Sequence, residues 1–139
     1  MAGTSRESGQ APQRLILDSG AVIALARGEH RARAFVARAL ELAASVEIPV
    51  AVVAETVRGG PRDAPVHRVL KSVGVIPEAR EVHGRIAGRL LGAARSVHTV
   101  DALVVAQAVE AGGAQILTGD SSDFGRLAAT HPEVRVHPL

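Results

Sequence analysis

The stretch Arg14-Leu15-Ile16-Leu17-Asp18-Ser19-Gly20, continuing through Ala21–Ala26, decides the architecture. A short apolar run stops at one solitary acid, turns through Ser19-Gly20 and resumes with helical composition, which makes a strand, a turn and a helix start. Whether that unit recurs settles the fold class. Next, His30 to Ala44 sets Phe35, Val36, Ala39, Leu40 and Ala43 at spacings of three, four and seven, the inward stripe of an amphipathic helix. Val46–Val50 reads as a second strand passing into helical Ala51–Val57, which Gly59-Gly60-Pro61 stops. A helix over roughly 64–73, a minimal strand at Val75-Ile76 and a long helix from Glu78 to Arg95 follow. His98-Thr99-Val100 opens a helix running to Ala111, Gln115–Thr118 is a strand, and Val134–Val136 is an edge strand. Strands alternating with helices predict an α/β fold. Parallel neighbours need crossover helices, so the expected form is a central parallel sheet of four to five strands with helices on both faces.

The chain has 139 residues, enough for one core, and that core is expected over 14–139. Residues 1–13 are rich in Ser, Gly and Gln, with two Ala and a Pro and little to bury, and predict a disordered tail. The absence of Cys removes disulfides, thiolate metal sites and thiol nucleophiles. With two Phe and no Tyr or Trp there is no set of base-stacking platforms, so any nucleic acid is held through charge and backbone. Fifteen of the 16 basic residues are Arg, and the single lysine, Lys71, follows no glycine-rich loop, which excludes a Walker A motif. No apolar run has membrane-spanning length and the first residues carry no hydrophobic signal region, so a cytoplasmic protein without membrane attachment is expected.

Four carboxylates stand alone in apolar surroundings. Asp18 is the only charge between Leu15 and Ala26, Glu55 between Ile48 and Val57, Asp101 from Thr99 to Val109, and Asp120 between Ala111 and Ser122. Three of them fall at a strand exit or a helix start, and in a parallel sheet such positions gather beyond the carboxyl ends of the strands. Taken singly, the three Asp suit helix caps and Glu55 suits an i+3 pair with Arg58. Taken together, isolated acids withdrawn from water need a cation, and no arginine shares their windows. An all-oxygen set without Cys points to Mg²⁺ or Mn²⁺.

Around them, Ser19 and Thr118 are hydroxyls beside two of the acids, placed to support a ligand from behind. Asp123, in the turn Ser121-Ser122-Asp123-Phe124, is expected to be peripheral to the set. The histidines show no ligand spacing and are expected at the surface, His98 standing apart because it lies three residues before Asp101.

Four segments in order, Leu-Ile-Leu-Asp18-Ser-Gly-Ala, Ala-Glu55-Thr-Val-Arg-Gly, Val-Asp101-Ala-Leu-Val-Val-Ala and Leu-Thr-Gly-Asp120-Ser-Ser-Asp123-Phe, resemble the PIN domain, especially the VapC-type toxins of bacterial toxin–antitoxin pairs. The resemblance spans residues 14 to 139. It implies a PIN-like nuclease domain in which Asp18, Glu55, Asp101 and Asp120 match an acidic quartet that binds Mg²⁺ or Mn²⁺ and hydrolyses RNA. It further implies a homodimer restrained by a small cognate antitoxin. In that reading Asp18, Asp101 and Asp120 hold the metal while Glu55 binds or orients the attacking water. Setting the four aside leaves ten acidic residues against 16 basic ones, so the exterior is basic, and Arg58, Arg62, Arg68 and Lys71 are the candidates to track RNA phosphates. The competing reading is a catalytically silent PIN-like module that binds RNA or a peptide. A longer tail before Arg14 and the stretch Arg58–Arg68 depart from the family pattern without touching the quartet.

Overall fold

The computed structural model of the protein describes residues 13–139. The tail expected over 1–13 lies outside the described residues except for Gln13, whose carbonyl accepts the Ser45 amide at 2.7 Å. The chain runs β1 (Arg14–Leu17), α1 (Ser19–Ala26), α2 (His30–Glu41), β2 (Ser45–Glu47), α3 (Val50–Thr56), a 3₁₀ turn (Pro61–Asp63), α4 (Ala64–Ser72), α5 (Glu81–Ala94), α6 (Thr99–Glu110), β3 (Ala114–Thr118), α7 (Ser121–Leu127) and β4 (Val134–Pro138). The four strands form one sheet in the order β2-β1-β3-β4 with every pair parallel. This is the α/β class that the alternation predicts.

Leu15, Ile16 and Leu17 of β1 and Ile116 and Leu117 of β3 are almost fully buried, as strands covered on both faces must be. α6 is apolar nearly all round because it is the central helix: Ala102, Val104, Val105, Ala106, Gln107 and Ala108 are buried, with α5, α7 and β3 packed against it. α1 lies against β1 and β3 and is flanked by α2, α3 and α4. No helix among the described residues is long and apolar enough to cross a membrane.

The structure corrects several element boundaries. The strand expected over Val46–Val50 ends at Glu47, because Pro49 caps α3 and Val50 is already helical. Val75-Ile76 supplies a single bridge, Val75 to Glu47, in place of a strand. The helix expected from Glu78 begins at Glu81, since Arg80 is extended (φ −120°) and its amide donates to His83 Nδ1 at 3.1 Å. That bond overturns the surface expectation for His83, which is buried with Nε2 3.5 Å from Glu110. The helix expected from His30 to Ala44 stops at Glu41, with Ala43 in the left-handed region at φ 59°.

Candidate metal centre

β1 lies between β2 and β3, so the chain leaves it on one side and returns on the other, opening a crevice at the carboxyl ends of β1 and β3. The register sets Leu17 against Leu117, which brings Asp18 beside Thr118. The buried Thr118 hydroxyl donates to Asp18 Oδ2 at 2.5 Å and accepts the Asp120 amide at 2.8 Å, so one side chain fixes the exits of both strands. Asp18 also caps α1, accepting the Ala21 amide at 2.8 Å, and is only 6% exposed. Burial pushes its carboxyl above the ordinary range despite the Thr118, Ala21 and Gly119 donors, and the charge of Glu55 adds to the shift. The loops close tightly here: a Cβ on Gly20 would lie 3.2 Å from the Gly119 nitrogen.

Asp101 stands in the first turn of α6, half-buried, and accepts no hydrogen bond among the described residues. Its carboxyl is pushed up to about 6, chiefly by burial, then by the charge of Glu55, with Asp18 and Asp120 also raising it and His98 opposing. Glu55 is exposed near the end of α3 and lines an open cleft of about 240 Å³ with His98, Thr99, Val100 and Asp101. Asp120 is exposed at the mouth, where it accepts a long bond of 3.4 Å from the Asp123 amide and caps α7. The fold thus draws Asp18, Glu55, Asp101 and Asp120 into mutual electrostatic range, with burial graded from the floor at Asp18 to the rim.

The contrast with Glu47 is informative. That acid is buried too, and Arg14 at 2.5 Å and Gln107 at 3.0 Å meet its two oxygens. Among the described residues no Lys or Arg pairs with any of the four crevice acids. Arg58 does not turn back to Glu55; its guanidinium donates to the carbonyls of Ala54 and Val57. Four carboxylates in electrostatic range, with no Lys or Arg partner among the described residues, suit a hard divalent ion, and the ligand atoms that already lie within 4.8 Å of one another are those of His98, Asp101 and Asp123.

Two neighbours stand closer than sequence spacing implied. Asp123 is half-buried and lies 3.4 Å from His98 Nε2 and 3.8 Å from Arg126, and ligand atoms of His98, Asp101 and Asp123 all fall within 4.8 Å of one another. The i, i+3 spacing of His98 and Asp101 was the signal; Asp123 comes from another helix. Ser19 begins α1 and makes no hydrogen bond to the acids among the described residues. The basic candidates separate. Arg58 follows α3, three residues after Glu55, and Arg62 stands in the 3₁₀ turn, whereas Arg68 lines a cleft with Leu25 to Gly28 at the far end of α1, about 12 Å of helix away from Asp18. Lys71 is exposed one turn beyond Arg68.

The sequence matches the PIN domain family over residues 15–129. No curated protein matches it significantly. Among solved structures, VapBC2 from Rickettsia felis bound to a DNA fragment from their promoter superposes with a TM-score of 0.74 at 13% identity, over 91% of this chain and 99% of that one. FitAB bound to an IR36 DNA fragment gives 0.65 at 19% identity, over 89% and 94%. FitAcB from Neisseria gonorrhoeae gives 0.60 at 18% identity, over 88% and 95%. At such identities the likeness is one of fold.

Proposed function

The chain belongs to the PIN-domain family, and from that premise we propose that it is a metal-dependent endoribonuclease, the toxin of a type II toxin–antitoxin pair. The observation that carries this reading is the crevice itself: at a sheet switch point Asp101 feels the charges of Glu55, Asp18 and Asp120, and among the described residues no Lys or Arg pairs with any of the four. Asp18, Asp101 and Asp120 would hold Mg²⁺ or Mn²⁺. A bound divalent ion supplies charge neutralisation at the phosphate under attack. Glu55, on the rim with an unengaged carboxylate, accepts a hydrogen bond from the attacking water and orients it. Thr118 keeps Asp18 and Asp120 in register, and Asp123 flanks Asp101 at the edge of the set. Arg58, three residues after Glu55, and Arg62 in the following turn are the candidates to hold the RNA backbone next to an acidic cleft that would otherwise repel it, and Arg68 and Lys71 on α4 would contact it farther from the acids.

Fold likeness to the VapBC2 and FitAB structures supports a small cognate antitoxin as partner; a homodimer and a cytoplasmic location complete the proposal. The test is cleavage of short single-stranded RNA with Mn²⁺ or Mg²⁺. Wild type is expected to cut, and chelation or Asp101→Asn to abolish cutting while the fold persists. RNA binding with no cleavage under any metal would favour the catalytically silent module instead.

A further inference from the structure

His98 is not one of the four crevice acids, yet its imidazole faces them. As the residue before the first helical position of α6 it makes no side-chain cap bond, and its ring is half-exposed. Its backbone is anchored instead by the Ser96 hydroxyl, which accepts the His98 amide at 3.1 Å. The ring nitrogen Nε2 points toward Asp123 Oδ2 at 3.4 Å, longer than a strong charge-assisted hydrogen bond. Two ligand atoms on one octahedral ion at about 2.1 Å lie roughly 3.0 Å apart when adjacent and about 4.2 Å when opposite. A spacing of 3.4 Å, within a His98–Asp101–Asp123 group whose ligand atoms span 4.8 Å at most, therefore suits one ion with small side-chain shifts. Asp101 belongs both to this group and to the crevice, so the imidazole stands within ligand distance of the acid that the two share.

We propose that His98 is a further ligand of the divalent ion, sharing it with Asp101 and Asp123, and that this nitrogen donor makes the centre take Mn²⁺ in preference to Mg²⁺. The proposal rests on the metal-dependent reading above. Its chemical basis is that Mg²⁺ keeps water and carboxylate oxygen as ligands, whereas first-row transition ions gain from imidazole. Because the ring is exposed and carries no capping duty, its removal spares the fold.

The experiment is pulsed electron paramagnetic resonance of Mn²⁺ bound to the full chain, with calorimetric affinities for Mn²⁺ and Mg²⁺ on the same samples. Wild type is expected to show imidazole nitrogen coupling to the manganese. His98→Gln is expected to lose that coupling, keep Mn²⁺ on its carboxylates and lower the Mn²⁺-to-Mg²⁺ affinity ratio about tenfold. Asp123→Asn is expected to lower Mn²⁺ affinity without removing the nitrogen coupling. Mn²⁺ bound with no nitrogen coupling, or an unchanged affinity ratio in His98→Gln, overturns the proposal and leaves the carboxylate centre standing. Absence of any Mn²⁺ or Mg²⁺ binding by wild type overturns both.

Discussion

Asp101 carries its carboxylate half-buried on the first turn of α6 and accepts no hydrogen bond among the described residues, so at neutral pH it holds a charge that its surroundings oppose. A folded-state value near 6 against an ordinary 3.8 means the native state binds more protons between those limits, and stability falls as pH rises through that window. The full shift corresponds to at most about 3 kcal/mol at pH 7, reduced to about 1–2 kcal/mol by solvent screening of a half-exposed group. Asp101→Asn in metal-free protein should therefore be the more stable form at pH 7, by that amount, and lose its advantage below about pH 4; urea denaturation at both pH values checks this. A mutant less stable than wild type at pH 7 would mean that Asp101 is a structural acid. Asp63 behaves oppositely. Its Oδ2 accepts the Gly59 amide at 2.7 Å and the Arg58 amide at 2.8 Å, and these donors hold its carboxyl below the usual range. Its stabilisation is present above the ordinary carboxylate range and disappears as pH falls through the lowered value. Asp63→Ala should lower Tm at pH 7, and the difference from wild type should shrink in strong acid.

Glycines separate the demands of individual elements. Gly74 lets the segment after α4 approach β2 so closely that a Cβ would sit 2.4 Å from the Val46 carbonyl oxygen. Backbone offers no rotamer for relief, so Gly74→Ala should cost about 1–3 kcal/mol of unfolding free energy, seen as a lower denaturant midpoint, through loss of the Val75 bridge to β2. Gly84 and Gly88, on exposed positions of α5, meet nothing within 4 Å of an added Cβ. There the helix gains from reduced unfolded-state freedom, and each Gly→Ala should raise stability by roughly 0.5–1 kcal/mol. Circular dichroism melts on the three variants distinguish a packing glycine from two removable ones. The same contrast accounts for the elements that spacing misplaced. Val46–Val50 reads as one short strand, yet Pro49 supplies an N-cap and turns its last residue into α3. Glu78–Arg95 is periodic to its start, but His83 reaches back to the Arg80 amide and begins the helix later.

For the whole molecule, on the proposed reading, the four crevice acids make the native state a metal acceptor and the unfolded chain, where they disperse, a poor one. Mn²⁺ at a hundred times its dissociation constant should add about 2.7 kcal/mol of apparent stability, on the order of 5–10 °C in Tm for a domain of this size. The rise should vanish in Asp101→Asn and be reversed by chelator. A wild-type Tm indifferent to Mn²⁺ and Mg²⁺ would leave the carboxylates without a cation and remove the basis of the nuclease reading.

The sequence by itself determined the class and nominated the acids of the crevice. Apolar strands ending at Asp18 and Thr118, an all-apolar helix opened by Asp101 and no cysteine are local properties, written in composition and period. Such signals survive without coordinates because burial on both faces of a parallel strand leaves no choice of side chain. What only the tertiary structure decided is which acids are neutralised and by what. Glu47 looks as solitary as Glu55 along the chain, but the β1–β2 register and the approach of α6 give it Arg14 and Gln107. His83 vanished from the surface for the same reason, through Glu110 of a neighbouring helix. His98 and Asp123, 25 positions apart, meet at 3.4 Å because α6 and α7 pack together. Charge pairing depends on distance in space, falling off within a few ångströms in a partly buried site, and spacing along the chain constrains that distance only within a single helix or strand.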